Sequence, residues 1–158
     1  MRFSTTSIIP SLALLSAASA SIEGFEAPCT IAAGEPFNVS LVIGNSTRFV
    51  HDVGVAFGIA NGTDGYSVDL GQRILGHYDF GPDVTNGLKK LGFTLSVPNT
   101  EFFVIAGPAT LSASVFKLSG GRPGPKRVSF NLPVIVGDHT STDRIRINTG
   151  GYILRTNF

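Results

Sequence analysis

The sequence predicts an all-β fold, an immunoglobulin-like sandwich of two sheets with about seven strands. Two observations carry that reading. Apolar and polar residues alternate in run after run, and clusters of Gly, Asn and Pro stand between the runs. A strand sends successive side chains to opposite faces, so a period of two marks a sheet with one buried side. No long stretch shows the three-and-four spacing that a helix needs.

The elements follow in order. A first strand is expected near 25–31. Phe37, Val39, Leu41 and Ile43 then alternate with polar Asn38 and Ser40. Val53, Val55, Phe57 and Ile59 alternate with Gly54, Ala56 and Gly58. A middle strand near 72–80 precedes Leu91, Phe93, Leu95 and Val97, and Leu111, Ala113 and Val115 form the next run. The longest run is Val128, Phe130, Leu132, Val134 and Val136. Val, Ile, Phe and Thr dominate, as strands prefer. Between the runs stand Gly44-Asn45-Ser46, the cluster at 61–65, Gly81-Pro82-Asp83, Asn86-Gly87 and the Gly/Pro stretch at 119–125. Gly supplies positive φ and Pro fixes φ, so the chain turns there at little steric cost. Ala33-Gly34-Glu35-Pro36-Phe37 has the form of the turn that opens the second strand of immunoglobulin-like domains. With no Trp and one Cys, the antibody type with its disulfide is excluded.

The amino terminus reads as a cleaved secretory leader, residues 1–20. Arg2 supplies the positive end, residues 8–15 a short apolar stretch, and Ala18-Ser19-Ala20 the small-x-small cleavage pattern. The apolar stretch falls far short of the roughly 20 residues that span a bilayer. Cleavage after Ala20 leaves a mature chain starting at Ser21. Residues 21–137 form the sandwich domain. The tail, 138–158, is either an added edge strand or disordered.

Twelve basic residues stand against 11 acidic ones, and loss of Arg2 with the leader balances them. A neutral chain without a basic run has little to neutralise phosphates, so nucleic acid is not an expected partner. Nor is any later segment long and apolar enough to span a membrane. Cys29 is the only cysteine, which rules out an internal disulfide. It reads as a small buried hydrophobe on the first strand.

Three sequons, at Asn38, Asn45 and Asn61, are candidate glycan sites for a secreted eukaryotic protein. His51, His77 and His139 lack chelating spacing, so no metal or other cofactor is expected. Asp64, Asp69, Asp79 and Asp83 cluster around the middle loops, where acids serve turns more often than catalysis. No nucleophile elbow is present. The dibasic pairs Lys89-Lys90 and Lys126-Arg127 read as charged strand entrances. Tyr66, Tyr78 and Phe80 lie in or near the middle loops and are the candidate interaction surface, because Tyr offers apolar area with a polar tip.

Four segments then carry a resemblance. They are Thr30-Ile31-Ala32-Ala33-Gly34-Glu35-Pro36-Phe37, Asp52-Val53-Gly54-Val55-Ala56-Phe57-Gly58, Leu75-Gly76-His77-Tyr78-Asp79 and Gly107-Pro108-Ala109-Thr110-Leu111. With the leader and the length, they resemble the fungal necrosis-inducing secreted effector family. The resemblance implies a non-enzymatic effector that binds plant immune receptor-associated kinases, suppresses defence and induces necrosis. It carries over no catalytic residue. The alternative is a secreted module binding cell-wall carbohydrate or acting in surface adhesion, against which the absence of Trp counts.

Overall fold

A computed structural model of the chain describes residues 19–46, 50–63, 70–81, 87–99, 106–119, 125–149 and 153–156. Ten strands follow one another: β1 (Ser19–Pro28), β2 (Thr30–Ala32), β3 (Pro36–Ser46), β4 (Val50–Asn61), β5 (Arg73–Asp79), β6 (Lys90–Ser96), β7 (Gly107–Ser119), β8 (Pro125–Gly137), β9 (Arg144–Asn148) and β10 (Ile153–Thr156). They form two five-stranded sheets, ordered β10-β9-β1-β3-β6 and β2-β8-β7-β4-β5. All pairings are antiparallel except β2 with β8. The expected two-sheet sandwich is therefore present, with ten strands among the described residues where the alternation predicts about seven.

Three strands account for the difference. The expected first strand breaks into β1 and β2, which lie in opposite sheets. Pro28 has no N–H to continue a ladder, so β1 stops there. Cys29 then bridges the sheets, its N–H donating to Asp143 O at 2.9 Å and its carbonyl accepting from Ile135 N at 2.9 Å. The other two strands come from the segment after Gly137. There β9 pairs with β1 through Phe25 opposite Ile147, and β10 forms the edge beyond it. At the start, Ser19 and Ala20 extend β1 opposite Ser46 and Asn45.

The inward faces of the runs meet in one core. Phe25, Phe57 and Phe130 are its largest fully buried side chains, with Ile22, Ile31, Leu41, Ile59, Leu111 and Leu132 around them. Burying each such side chain stabilises the fold by about 1.5–3 kcal/mol. Gly34 takes φ +84 in the turn into β3, where its N–H donates to Val97 O at 2.7 Å. On the outer side of β4, a Cβ at Gly58 would strike the carbonyl oxygen of Leu70, so only Gly permits that crossing. The free side of β2 is capped: Thr30 N donates to Ser141 Oγ and Ala32 N to Thr140 Oγ1, both at 3.1 Å. A capped edge cannot recruit a foreign strand.

One run departs from its alternation. The ladder between β4 and β7 shifts between Asp52 and Gly54, the mark of a bulge. Val53, expected inside, is 38% exposed, and Asp52 turns inward with its side chain wholly buried. Opposite it, Lys117 of β7 is buried as well and lies 3.4 Å from Asp52 Oδ1. Lys117 Nζ donates to Ser21 Oγ at 2.8 Å and to the carbonyl of Ile22. Ile22 N donates to Asp52 Oδ2 at 2.9 Å. Burial pushes the Lys117 pKa below its ordinary value, and Asp52, then Glu23, act against that. An ionic joint thus ties β1 of one sheet to β4 and β7 of the other. An antibody-type domain ties its two sheets with a disulfide instead.

Candidate interaction surface

A second tie closes the opposite seam, where edge strand β5 faces edge strand β6 of the other sheet. Aromatic rings step outward from the core there. Phe25 and Phe57 have centroids 5.8 Å apart, Phe57 and Phe93 5.2 Å, and Phe93 and Tyr78 4.7 Å. Phe80 joins from the side, 6.4 Å from Phe93. These separations suit the tilted contacts that aromatic quadrupoles favour. The Tyr78 hydroxyl donates to Thr94 O at 3.3 Å, so it reaches across to the edge of β6. Tyr78 is 38% exposed, whereas Phe80 is half-buried against the core. Of the candidate aromatics, Tyr78 and Phe80 thus converge on Phe93, while Tyr66 lies outside the described residues. Phe93 is the centre of this group; the alternation of β6 places it inward, which hides its part at the seam.

The two outer faces of the sandwich differ. On sheet β2-β8-β7-β4-β5, Phe116 and Leu118 alternate with buried Val115 and Lys117 and therefore face outward. They are 46% and 44% exposed. Ile135 on β8 and Ile74 on β5, opposite Gly58, stand outward on either side and are also exposed. Between them lie small residues: Thr110, Ser112 and Ser114 on β7, Ala56 and Gly58 on β4, and Ser129 on β8. Ser112 is buried with no hydrogen-bond partner for its hydroxyl. Large apolar side chains thus border a band of small ones.

The outer face of sheet β10-β9-β1-β3-β6 is charged. Glu26 is buried on it, accepting from Lys90 Nζ at 2.7 Å and Arg144 Nε at 2.6 Å. Burial works to raise the Glu26 pKa, but hydrogen bonds and charge from Lys90 and Arg144 outweigh it and hold the carboxyl below its ordinary value. Arg144 also donates from both terminal nitrogens to Asn38 O at 3.2 Å. Asn38 is exposed on this face, its Oδ1 accepting from Thr94 Oγ1 at 2.9 Å. Asn45 is exposed near the end of β3, and Asn61 is half-buried at the end of β4.

The remaining candidates do not come together. His51, His77 and His139 are exposed on β4, on β5 and in the loop before β9. No group of three metal-ligating side chains occurs among the described residues. Cys29 is half-buried at the crossing between sheets. Asp79 is exposed on β5, and Asp64, Asp69 and Asp83 lie outside the described residues. Lys90 is engaged with Glu26, while Lys126 and Arg127 stand exposed at the entrance of β8. No described helix is long and apolar enough to cross a membrane.

Fold and surface together define an immunoglobulin-like sandwich whose sheets are joined by charge and aromatic contact, with a paired charge cluster on one outer face and scattered exposed apolar side chains on the other. The Nis1 family model matches residues 18–135. The chain is 31% identical over 141 residues to necrosis-inducing secreted protein 1 of Colletotrichum orbiculare, across 89% of this chain and 85% of that one. It is 30% identical over 135 residues to the protein of the same name from Colletotrichum higginsianum, across 85% and 91%. This chain belongs to the Nis1 family of fungal secreted effectors, and its place is extracellular. The family match ends at Ile135 in β8, so β9 and β10 lie beyond it.

Proposed function

We propose that this chain induces necrosis in a host plant and suppresses defence by binding immune receptor-associated kinases through the outer face of sheet β2-β8-β7-β4-β5. Necrosis induction rests on the two relatives that carry that activity in their names. The kinase class rests on the family resemblance. The contact face rests on one observation: Phe116 and Leu118 stand exposed two residues apart at one end of that face, with exposed Arg127 opposite Phe116, while the opposite face pairs Glu26 with Lys90 and Arg144. Neighbouring exposed apolar side chains mark contact sites, and aromatic residues and Arg are enriched in protein interfaces. Sugar at Asn38 would shield the charged face and leave the end of the other face at Phe116 and Leu118 uncovered.

The deciding experiment is capture from plant extract with the mature protein, identifying the bound proteins by mass spectrometry. Wild type is expected to retain receptor-associated kinases, and Phe116→Asp with Leu118→Asp to lose them while keeping the wild-type melting temperature. Retention of kinases by the double variant would remove the face from the proposal. Capture of no kinase, with strong binding to chitin or another wall polymer, would favour the carbohydrate-binding alternative.

A further inference from the structure

Among the described residues, the ionic joint between the sheets has an uneven charge balance. Two carboxylates, those of Asp52 and Glu23, act on Lys117. No other cation is paired with either among the described residues. Asp52 Oδ1 is buried and accepts no hydrogen bond, although Lys117 Nζ lies 3.4 Å away. The Glu23 carboxylate folds over Gly44, so closely that a Cβ at Gly44 would collide with it. Gly44 is the residue paired with Ser21 across the β1–β3 ladder.

Ser21 therefore sits in the middle of this group. Its hydroxyl accepts from Lys117 at 2.8 Å, and the next residue, Ile22, donates its N–H to Asp52. The Ser21 nitrogen is thus one residue from the N–H that Asp52 binds, and its cross-strand partner is the Gly44 that the Glu23 carboxylate covers. Ser21 is also the residue that follows the small-x-small pattern Ala18-Ser19-Ala20. We propose that cleavage after Ala20 supplies the missing charge of the joint: the α-ammonium of Ser21, set between Asp52 and Glu23 beside Lys117. Hydrolysis of the Ala20–Ser21 bond gives the hydroxyl of water to the Ala20 carbonyl carbon and its hydrogen to the Ser21 nitrogen. That nitrogen then takes a further proton from solvent and becomes a cation. Two carboxylates then face two cations, and removal of the leader completes the tie between the sheets.

The test compares the secreted chain with one that begins at Ser19 and is otherwise identical. Two further residues move the terminal charge by about 7 Å and leave every side chain of the joint in place. Intact mass of the secreted protein is expected to put its first residue at Ser21; a different start would overturn the proposal. At pH 6.5 the Ser21 chain is expected to melt about 2–4 °C above the Ser19 chain. An ordinary α-amine titrates near 7.7–8.0, and the two carboxylates, outweighing Lys117, raise this one. The advantage is thus fully present below the unfolded pKa and fades as pH rises through the folded one. Glu23→Gln, at a half-buried position, is expected to shrink the advantage at pH 6.5. A gap that ignores both pH and Glu23→Gln would reflect only the strand pairs of Ser19 and Ala20, and the proposal would fall. So would an α-amine found by NMR titration at or below its ordinary pKa.

Discussion

The sandwich is closed at two places by opposite chemistry. At one, Asp52 and Lys117 meet in the interior beside Ser21 and Ile22. At the other, Phe57, Phe93, Tyr78 and Phe80 stack where the edges of the two sheets face each other. The charged joint is directional and intolerant of losing one partner, because the survivor is left buried and uncompensated. The aromatic seam is graded: each ring adds area, and the outermost is already half in water. A failure at the joint should be abrupt, and one at the seam partial.

Lys117→Met breaks the comparison most severely. It removes the side-chain cation paired with buried Asp52 and is expected to lower stability by about 3–5 kcal/mol, read from urea midpoints. The double change Lys117→Met with Asp52→Leu should recover most of that loss, since an apolar pair of similar volume avoids the desolvation of charge. If the double variant is no better than the single one, the loss lies in packing.

Phe93→Ala tests the seam. Phe93 is only partly buried, so the loss should be about 2–3 kcal/mol, under the range for a fully enclosed Phe. Tyr78 fluorescence should shift as its ring loses a neighbour at 4.7 Å. Glu26→Gln carries the comparison to the outer charged face and is expected to cost about 1–2 kcal/mol near neutral pH. The folded Glu26 pKa is depressed, so its contribution is present above the unfolded pKa and is lost as pH falls through the folded one. The variant should therefore show a flatter loss of stability on acidification than wild type. Tyr78→Phe is the mildest change. It removes one hydrogen bond at an exposed edge and should cost about 0.5–1 kcal/mol, with the near-ultraviolet circular dichroism shape preserved in sign.

Alternation exposed the sheets because a period of two survives wherever a strand has one wet face. Leu132, Val134 and Val136 are buried as their spacing requires. Asp52 was not legible by the same rule. A bulge at Val53 inserts one residue and reverses the parity, so an acid lands where the pattern expects a valine. The split of the first strand had a local signal in Pro28, but which sheet each half joins depends on β8 and β9, more than a hundred residues away. The tail was ambiguous because Arg144-Ile145-Arg146-Ile147 alternates too briefly to identify its neighbour. Of the candidate contact residues, Tyr78 and Phe80 meet only through Phe93, a long-range partner. Phe116, Leu118 and Ile135 carry no motif, and their outward position is visible only in the folded sheet.

The order of the first sheet has a consequence for how the chain is made. β1, among the first residues to be synthesised, lies between β3 and the late strand β9, with Phe25 opposite Ile147. Until residues 143–148 leave the ribosome, one side of β1 has no neighbour and the Cys29 crossing lacks its Asp143 acceptor. Assembly that waits on such distant pairing is slow, and its incomplete forms are prone to associate. For this protein, stalled synthesis or loss of β9 and β10 would therefore leave β1 as the unpaired edge of a three-stranded sheet.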